Sequence, residues 1–191
     1  GKWHKEFFKN KQPIVLELGC GKGEYTVGLA EKFPHKNFIG IDIKGARMWR
    51  GARTATDNMM KNVGFLRTQI ELIDCCFSSG EVSEIWITFP DPQIKYRRRK
   101  KRLTSPSMLD KYKSILSDDA LLHLKTDSQF LHGYTLGILE GLDCKILDSS
   151  YDIDRQNPDD EILKIRTNYE SIFRKKGLPI TYIKFQLNKN D

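Results

Sequence analysis

A run apolar at four of five positions, Ile14 to Leu18, follows Pro13, and glycines then recur at every second position, Gly19, Gly21 and Gly23. A run this short between turn residues predicts a buried strand opening into a loop. Tyr25, Leu29 and Phe33 then share one helical face, which Pro34 ends. The same rhythm continues along the chain. Apolar runs predict strands over 38–43, 63–67, 84–89, 120–126 and 144–147. Helical spacing predicts helices over 45–61, 105–116 and 130–139, the last stopped by Gly141, and a short helix or turn over 70–77. A polar loop over 152–161 leads to a short helix ending at Lys176 before Gly177, and 181–187 alternates as a last strand. The basic, aromatic segment 1–12 predicts a short helix or the end of an amino-terminal arm. Strands alternating with helices predict an α/β fold built on a mostly parallel sheet. No repeat, low-complexity stretch or linker divides the 191 residues, so one domain over 1–191 is expected, its amino-terminal arm truncated.

Strand, glycine loop and helix form the opening unit of a nucleotide-binding sheet. The dinucleotide fingerprint needs a third glycine where this chain has Glu24. Glu17, at the mouth of the loop, would repel a pyrophosphate and attract an ammonium or sulfonium group. S-adenosylmethionine (SAM) carries both positive groups and no phosphate. Asp42, at the end of the second strand, is placed to accept hydrogen bonds from a ribose. This stretch resembles the cofactor site of class I SAM-dependent methyltransferases. The resemblance implies a Rossmann-like fold, a mostly parallel seven-stranded sheet with helices on both faces.

Charge extends the picture. The net charge is +7, and Lys95-Tyr96-Arg97-Arg98-Arg99-Lys100-Lys101-Arg102 is basic at seven of eight positions. A run of this kind inside a domain, beside a cofactor mouth, suits a polyanionic substrate, because Lys and Arg bind phosphate without reading sequence. A solvated basic face is the competing reading. Arg47, Arg50 and Arg53 recur at helical spacing and allow the same two readings. Immediately before the run stands Thr88-Phe89-Pro90-Asp91-Pro92, where two prolines restrict the backbone around one acid. Cys20, Cys75, Cys76 and Cys144 show neither metal-ligand spacing nor a disulfide framework, so no metal and a cytoplasmic setting are expected. No apolar stretch is long enough to span a membrane, and no membrane partner is expected.

Leu16-Glu17-Leu18-Gly19-Cys20-Gly21-Lys22-Gly23, Phe38-Ile39-Gly40-Ile41-Asp42, Phe89-Pro90-Asp91-Pro92 with its basic run, Thr126-Asp127 and Thr167-Asn168-Tyr169-Glu170 stand in this order. Together they resemble the bacterial tRNA (guanine-N7)-methyltransferases, the TrmB family, over nearly the whole chain. The resemblance implies methyl transfer from SAM to N7 of the guanosine at nucleotide 46 in the tRNA variable loop. It also implies site residues. Glu17, Gly19, Gly21, Gly23 and Asp42 would hold SAM, and Asp91 would be the catalytic acid. Thr68 stands where the family commonly has a SAM-holding acid, and Gln93 where a tryptophan is usual. Lys95 and Asp127 would bind substrate, with Arg97, Arg98 and Arg99 beside them, and so would Thr167, Asn168, Tyr169 and Glu170. The implied partner is tRNA, met by a monomer or homodimer.

The chemistry agrees with that assignment. Guanine N7 has a lone pair and no proton, so its attack on a sulfonium methyl needs no base at N7. What it needs is in-line placement and stabilisation of the cationic purine. Asp91 is therefore expected to orient the base and to favour its developing charge. Two alternatives stay open at this point. One is a non-catalytic RNA-binding protein on a degenerate methyltransferase fold; the other is a SAM-dependent methyltransferase acting on another substrate.

Overall fold

The computed structural model describes residues 1–175 and 177–188, except for the side chains of Asn168 and Tyr169. The strands are β1 (Ile14–Leu18), β2 (Asn37–Asp42), β3 (Val63–Arg67), β4 (Val82–Thr88), β5 (Leu116–Thr126), β6 (Lys145–Ser150) and β7 (Thr181–Gln186). They form one sheet in the order β3-β2-β1-β4-β5-β7-β6. Pairing is parallel from β3 through β5, and β7 runs antiparallel to both β5 and β6. The seven strands and the mostly parallel sheet expected from the sequence are therefore present.

Side chains alternate across each strand, and the sheet is covered on both faces. Ile14, Leu16 and Leu18 of β1 share one core with Ile39, Ile41, Ile85, Ile87, Leu122 and Leu124. Helices α3 (Pro106–Ile115) and α4 (Gln129–Gly141) cover that face with Leu109, Tyr112, Leu131 and Leu139. Val15 faces the other way, into a second core with Phe38, Val63, Trp86 and Tyr182. Tyr25 and Leu29 of α1 (Glu24–Lys32) and Ala55 of α2 (Gly45–Asp57) pack there. Glu17 is two residues beyond Val15 and so lies on the α1 face.

Several bounds differ from the periodicity. β5 begins at Leu116, because Ser117, Asp118 and Asp119 extend the strand despite their polarity. The register slips between Val82 and Glu84 where β4 meets this extension. The polar loop contains one helical turn, α5 (Ile153–Gln156). The basic run is a 3-10 turn over Tyr96–Lys101 rather than an open loop. A last helix, α6, spans Asn168–Lys175; the expected final residue, Lys176, lies outside the described residues. Among the described residues no helix is long and apolar enough to cross a membrane.

Candidate active site

At the carboxyl ends of β1, β2, β4 and β5 lies a cleft of about 460 Å³. This is where an open α/β sheet takes its ligands. Its floor comes from the loop after β1. Gly19, Gly21 and Gly23 have φ of 75°, 55° and 72°, a region that only glycine enters without strain. The backbone amides of Gly19 and Cys20 donate to the Ile41 carbonyl at 2.8 and 3.0 Å, tying the loop to β2. Asp42 reinforces the tie: its carboxylate accepts from the amides of Gly21 at 3.0 Å and Lys44 at 2.8 Å. A carboxylate has about four lone-pair positions, so Asp42 keeps acceptor capacity toward the cleft. Gly23 does not line the cleft. A Cβ there would stand 2.5 Å from the Phe65 ring and 3.2 Å from Gly51 Cα, so this glycine serves the close approach of α1 to α2.

Glu17 lines the cleft although it is only 2% exposed. The hydroxyls of Thr26 and Thr88 donate to its two oxygens, the latter at 2.6 Å. Burial pushes its carboxyl up to about 7, against the pull of those two hydroxyls. It is thus a poorly solvated carboxyl at the floor of a cleft also lined by Glu24, Asp42, Asp91 and Asp127. Lys22, Lys44 and Arg47 line the same cleft, but at its floor these acceptors suit the positive groups of a ligand.

Asp91 stands in the turn after β4. Phe89 and Gln93, at the two ends of that turn, both have φ of 47°, which is unusual for residues with a Cβ. The Phe89 amide donates to the Lys125 carbonyl at 2.8 Å, and the Gln93 amide donates to Asp91 Oδ1 at 2.9 Å. The prolines are thus only part of what fixes the acid. Asp127 and Ser128, just beyond β5, complete that wall, and the Ser128 hydroxyl caps α4 through the Leu131 amide.

The remaining candidates divide. Thr167 and Phe173 line the cleft. Thr167 also caps α6, its hydroxyl accepting from the Glu170 amide at 3.1 Å. Glu170 itself does not line the cleft. Its carboxylate is buried and is held by Lys125 Nζ at 2.8 Å and by Arg174 at 2.8–2.9 Å. Thr68 directly follows β3 and is outside the cleft lining, with its amide on the Asp42 carbonyl at 3.2 Å and its hydroxyl against the Cys76 thiol. Lys95, just before the 3-10 turn, and Arg97, Arg98 and Arg99 on it are exposed outside the cleft, with the Arg99 guanidinium 4.1 Å from the centre of the Tyr96 ring. The side chains of Asn168 and Tyr169 lie outside the described residues. Of the α2 arginines, Arg47 lines the cleft, whereas Arg53 pairs with Asp57 and lies over Trp49. Among the described residues no cluster of His, Cys, Asp and Glu could hold a metal.

Four participants escaped the sequence reading: Thr26, Thr88, Arg102 and Lys125. Lys125 left a usable signal. A lysine at the end of Leu121-Leu122-His123-Leu124 in a central strand must be buried and therefore paired. It is 0% exposed, and besides Glu170 its Nζ donates to the carbonyls of Leu163 at 2.7 Å and Ile165 at 3.0 Å. Lys125 thereby docks the segment that brings Thr167 to the cleft.

Comparison with known proteins places this geometry in a family. Residues 11–183 match the model of a family described as putative methyltransferase. A tRNA (guanine-N(7)-)-methyltransferase of Christiangramia forsetii is 60% identical over 98% of this chain and 84% of its own length. Another, of Bacteroides fragilis, is 54% identical over 98% of this chain and 73% of its own length. The crystal structure of the 16S rRNA methyltransferase KamB superposes with a TM-score of 0.74 over 96% of this chain and 92% of that one. At 14% identity it speaks for the fold alone. The strand order, the glycine loop and the acid-lined cleft are therefore those of a methyltransferase, and the chain belongs to the tRNA (guanine-N(7)-)-methyltransferase family.

Proposed function

We propose that the chain methylates N7 of the guanosine at nucleotide 46 in the tRNA variable loop, with SAM as methyl donor, in the cytoplasm. The observation that carries this reading is the position of Asp91, held by a doubly left-handed turn in the same cleft as buried Glu17 and loop-bound Asp42. Glu17 would face the positive groups of the methionine moiety, Asp42 would accept from the ribose, and the amides of the glycine loop would lie against the nucleoside. When bound, SAM supplies an electrophilic methyl group on a sulfonium.

The chain's own residues then do three things. The carboxylate of Asp91 accepts hydrogen bonds from the N1–H and 2-amino group of guanine, which orients the ring. Its charge favours the cation that N7 methylation creates. The exposed 3-10 turn with Lys95, Arg97, Arg98 and Arg99 holds the phosphates around the base. N7 of a folded tRNA is engaged in tertiary pairing, so the base has to be drawn out of its stack. Incubating the protein with tritiated SAM and bulk tRNA, then cleaving at 7-methylguanosine, tests the reading. A single labelled site at nucleotide 46 is expected; label elsewhere, or none in tRNA, would refute it.

A further inference from the structure

Arg102 ends the basic run in sequence but parts from it in space. Residues 95–101 are exposed, whereas Arg102 is 5% exposed. Its guanidinium lies 4.3 Å from the centre of the Tyr134 ring and 4.8 Å from that of Phe130, both on α4. Its Nε donates to the Pro92 carbonyl at 3.3 Å, and its Nη2 donates to the Gln93 carbonyl at 3.1 Å. These carbonyls belong to the turn that carries Asp91. The turn is left-handed at both ends, at Phe89 and Gln93. Non-glycine residues persist in that region only where their surroundings hold them. At the Phe89 end the holder is the Lys125 carbonyl. At the Gln93 end Arg102 holds the carbonyls, beside the bond from the Gln93 amide to Asp91 Oδ1.

We propose that Arg102 is a positioning residue for methyl transfer. By gripping the carbonyls of Pro92 and Gln93 while stacked on α4, it sets where Asp91 stands in the cleft. The proposal rests on the reading of Asp91 given above. The planar fork of arginine fixes two donors in one plane while its face stacks on a ring; the point-like ammonium of lysine has no such plane to set both at once. A side chain so buried, with its donors aimed at backbone, is not a phosphate contact, unlike its exposed neighbours.

The test compares Arg102→Lys, Arg102→Ala, Asp91→Ala and the double variant Asp91→Ala/Arg102→Ala. Displacing a catalytic group by about 1 Å can cost a hundredfold, so each Arg102 variant is expected to lower kcat about ten- to hundredfold. SAM affinity, tRNA affinity and the salt dependence of tRNA binding should stay at wild-type values. The double variant should be no slower than Asp91→Ala, because Arg102 acts through that acid. Added methylguanidinium should restore part of the turnover of Arg102→Ala. If Arg102→Ala does not fold at the assay temperature, Arg102→Lys decides alone. Wild-type kcat in Arg102→Lys, or a flatter salt slope with kcat unchanged, would overturn the proposal. An additive loss in the double variant would do the same. If Asp91→Ala itself keeps wild-type turnover, the reading of Asp91 fails and the clamp fails with it. Loss in Asp91→Ala beside wild-type turnover in Arg102→Lys removes the clamp alone.

Discussion

A single carboxyl, that of Glu17, shows how burial makes the charge of an ordinary side chain responsive to a neighbouring cation. Thr26 and Thr88 each give it a hydrogen bond, yet burial still raises it to about 7 from the usual 4.5. A raised acid contributes to stability below about pH 4.5, and that contribution is lost as pH rises through about 7. A cationic ligand reverses the balance by favouring the ionised form. SAM affinity is therefore expected to climb with pH below 7, by at most about tenfold per unit, and then to level off. Calorimetry at pH 6 in two buffers of different ionisation heat should show proton release in the wild type and less in Glu17→Gln. Equal release in both proteins would contradict this role. The acid and its spacing from the glycines were legible in the sequence. Its two threonine partners were not, because they come from α1 and β4 and meet Glu17 only in the folded sheet. Arg102 was hidden for a similar reason. Nothing in a string of basic residues marks the one whose rings, Phe130 and Tyr134, wait about 30 positions downstream.

Among the elements, the 3-10 turn over Tyr96–Lys101 and helix α6 carry opposite lessons. The turn holds its cations in solvent, where phosphate binding releases counterions. Replacing Arg97, Arg98 and Arg99 together by Ala should weaken binding to all tRNAs alike. It should also flatten the log–log salt slope by up to about three units, with SAM binding unchanged. A slope like that of wild type would return the turn to the status of a solvated face. In α6, Thr167-Asn168-Tyr169-Glu170 has the spacing of a helix cap, and Thr167 does cap the helix. Glu170 turns inward to Lys125 instead of back to the cap. Removing one member of a buried pair costs about 3 kcal/mol or more. Lys125→Met is accordingly expected to lower the denaturation midpoint and to speed hydrogen exchange over residues 163–175. Arg174, which also holds Glu170, limits the loss. Unchanged exchange there would show that the lysine does not dock the segment.

At the scale of the whole molecule, the apolar runs of β1 to β4 were readable because turn residues bound them. The start of β5 was not, since Ser117, Asp118 and Asp119 are polar and lie in the register slip between the pairings of Leu116 and Leu121 with β4. Strand order cannot be read from periodicity; only the folded sheet gives it. That order puts the ends of β1 and β4 side by side, so the floor of the cleft and Asp91 face one space, with the basic turn just outside. The central claim is that this space delivers a methyl group to one ring nitrogen. The most direct test uses two tRNAs that differ only at nucleotide 46, one with guanosine and one with 7-deazaguanosine, which keeps the base-pairing edge but has carbon in place of N7. The guanosine tRNA should accept one methyl group and the 7-deaza tRNA none, while both bind with equal affinity. Methylation of the 7-deaza tRNA at the wild-type rate would contradict the account.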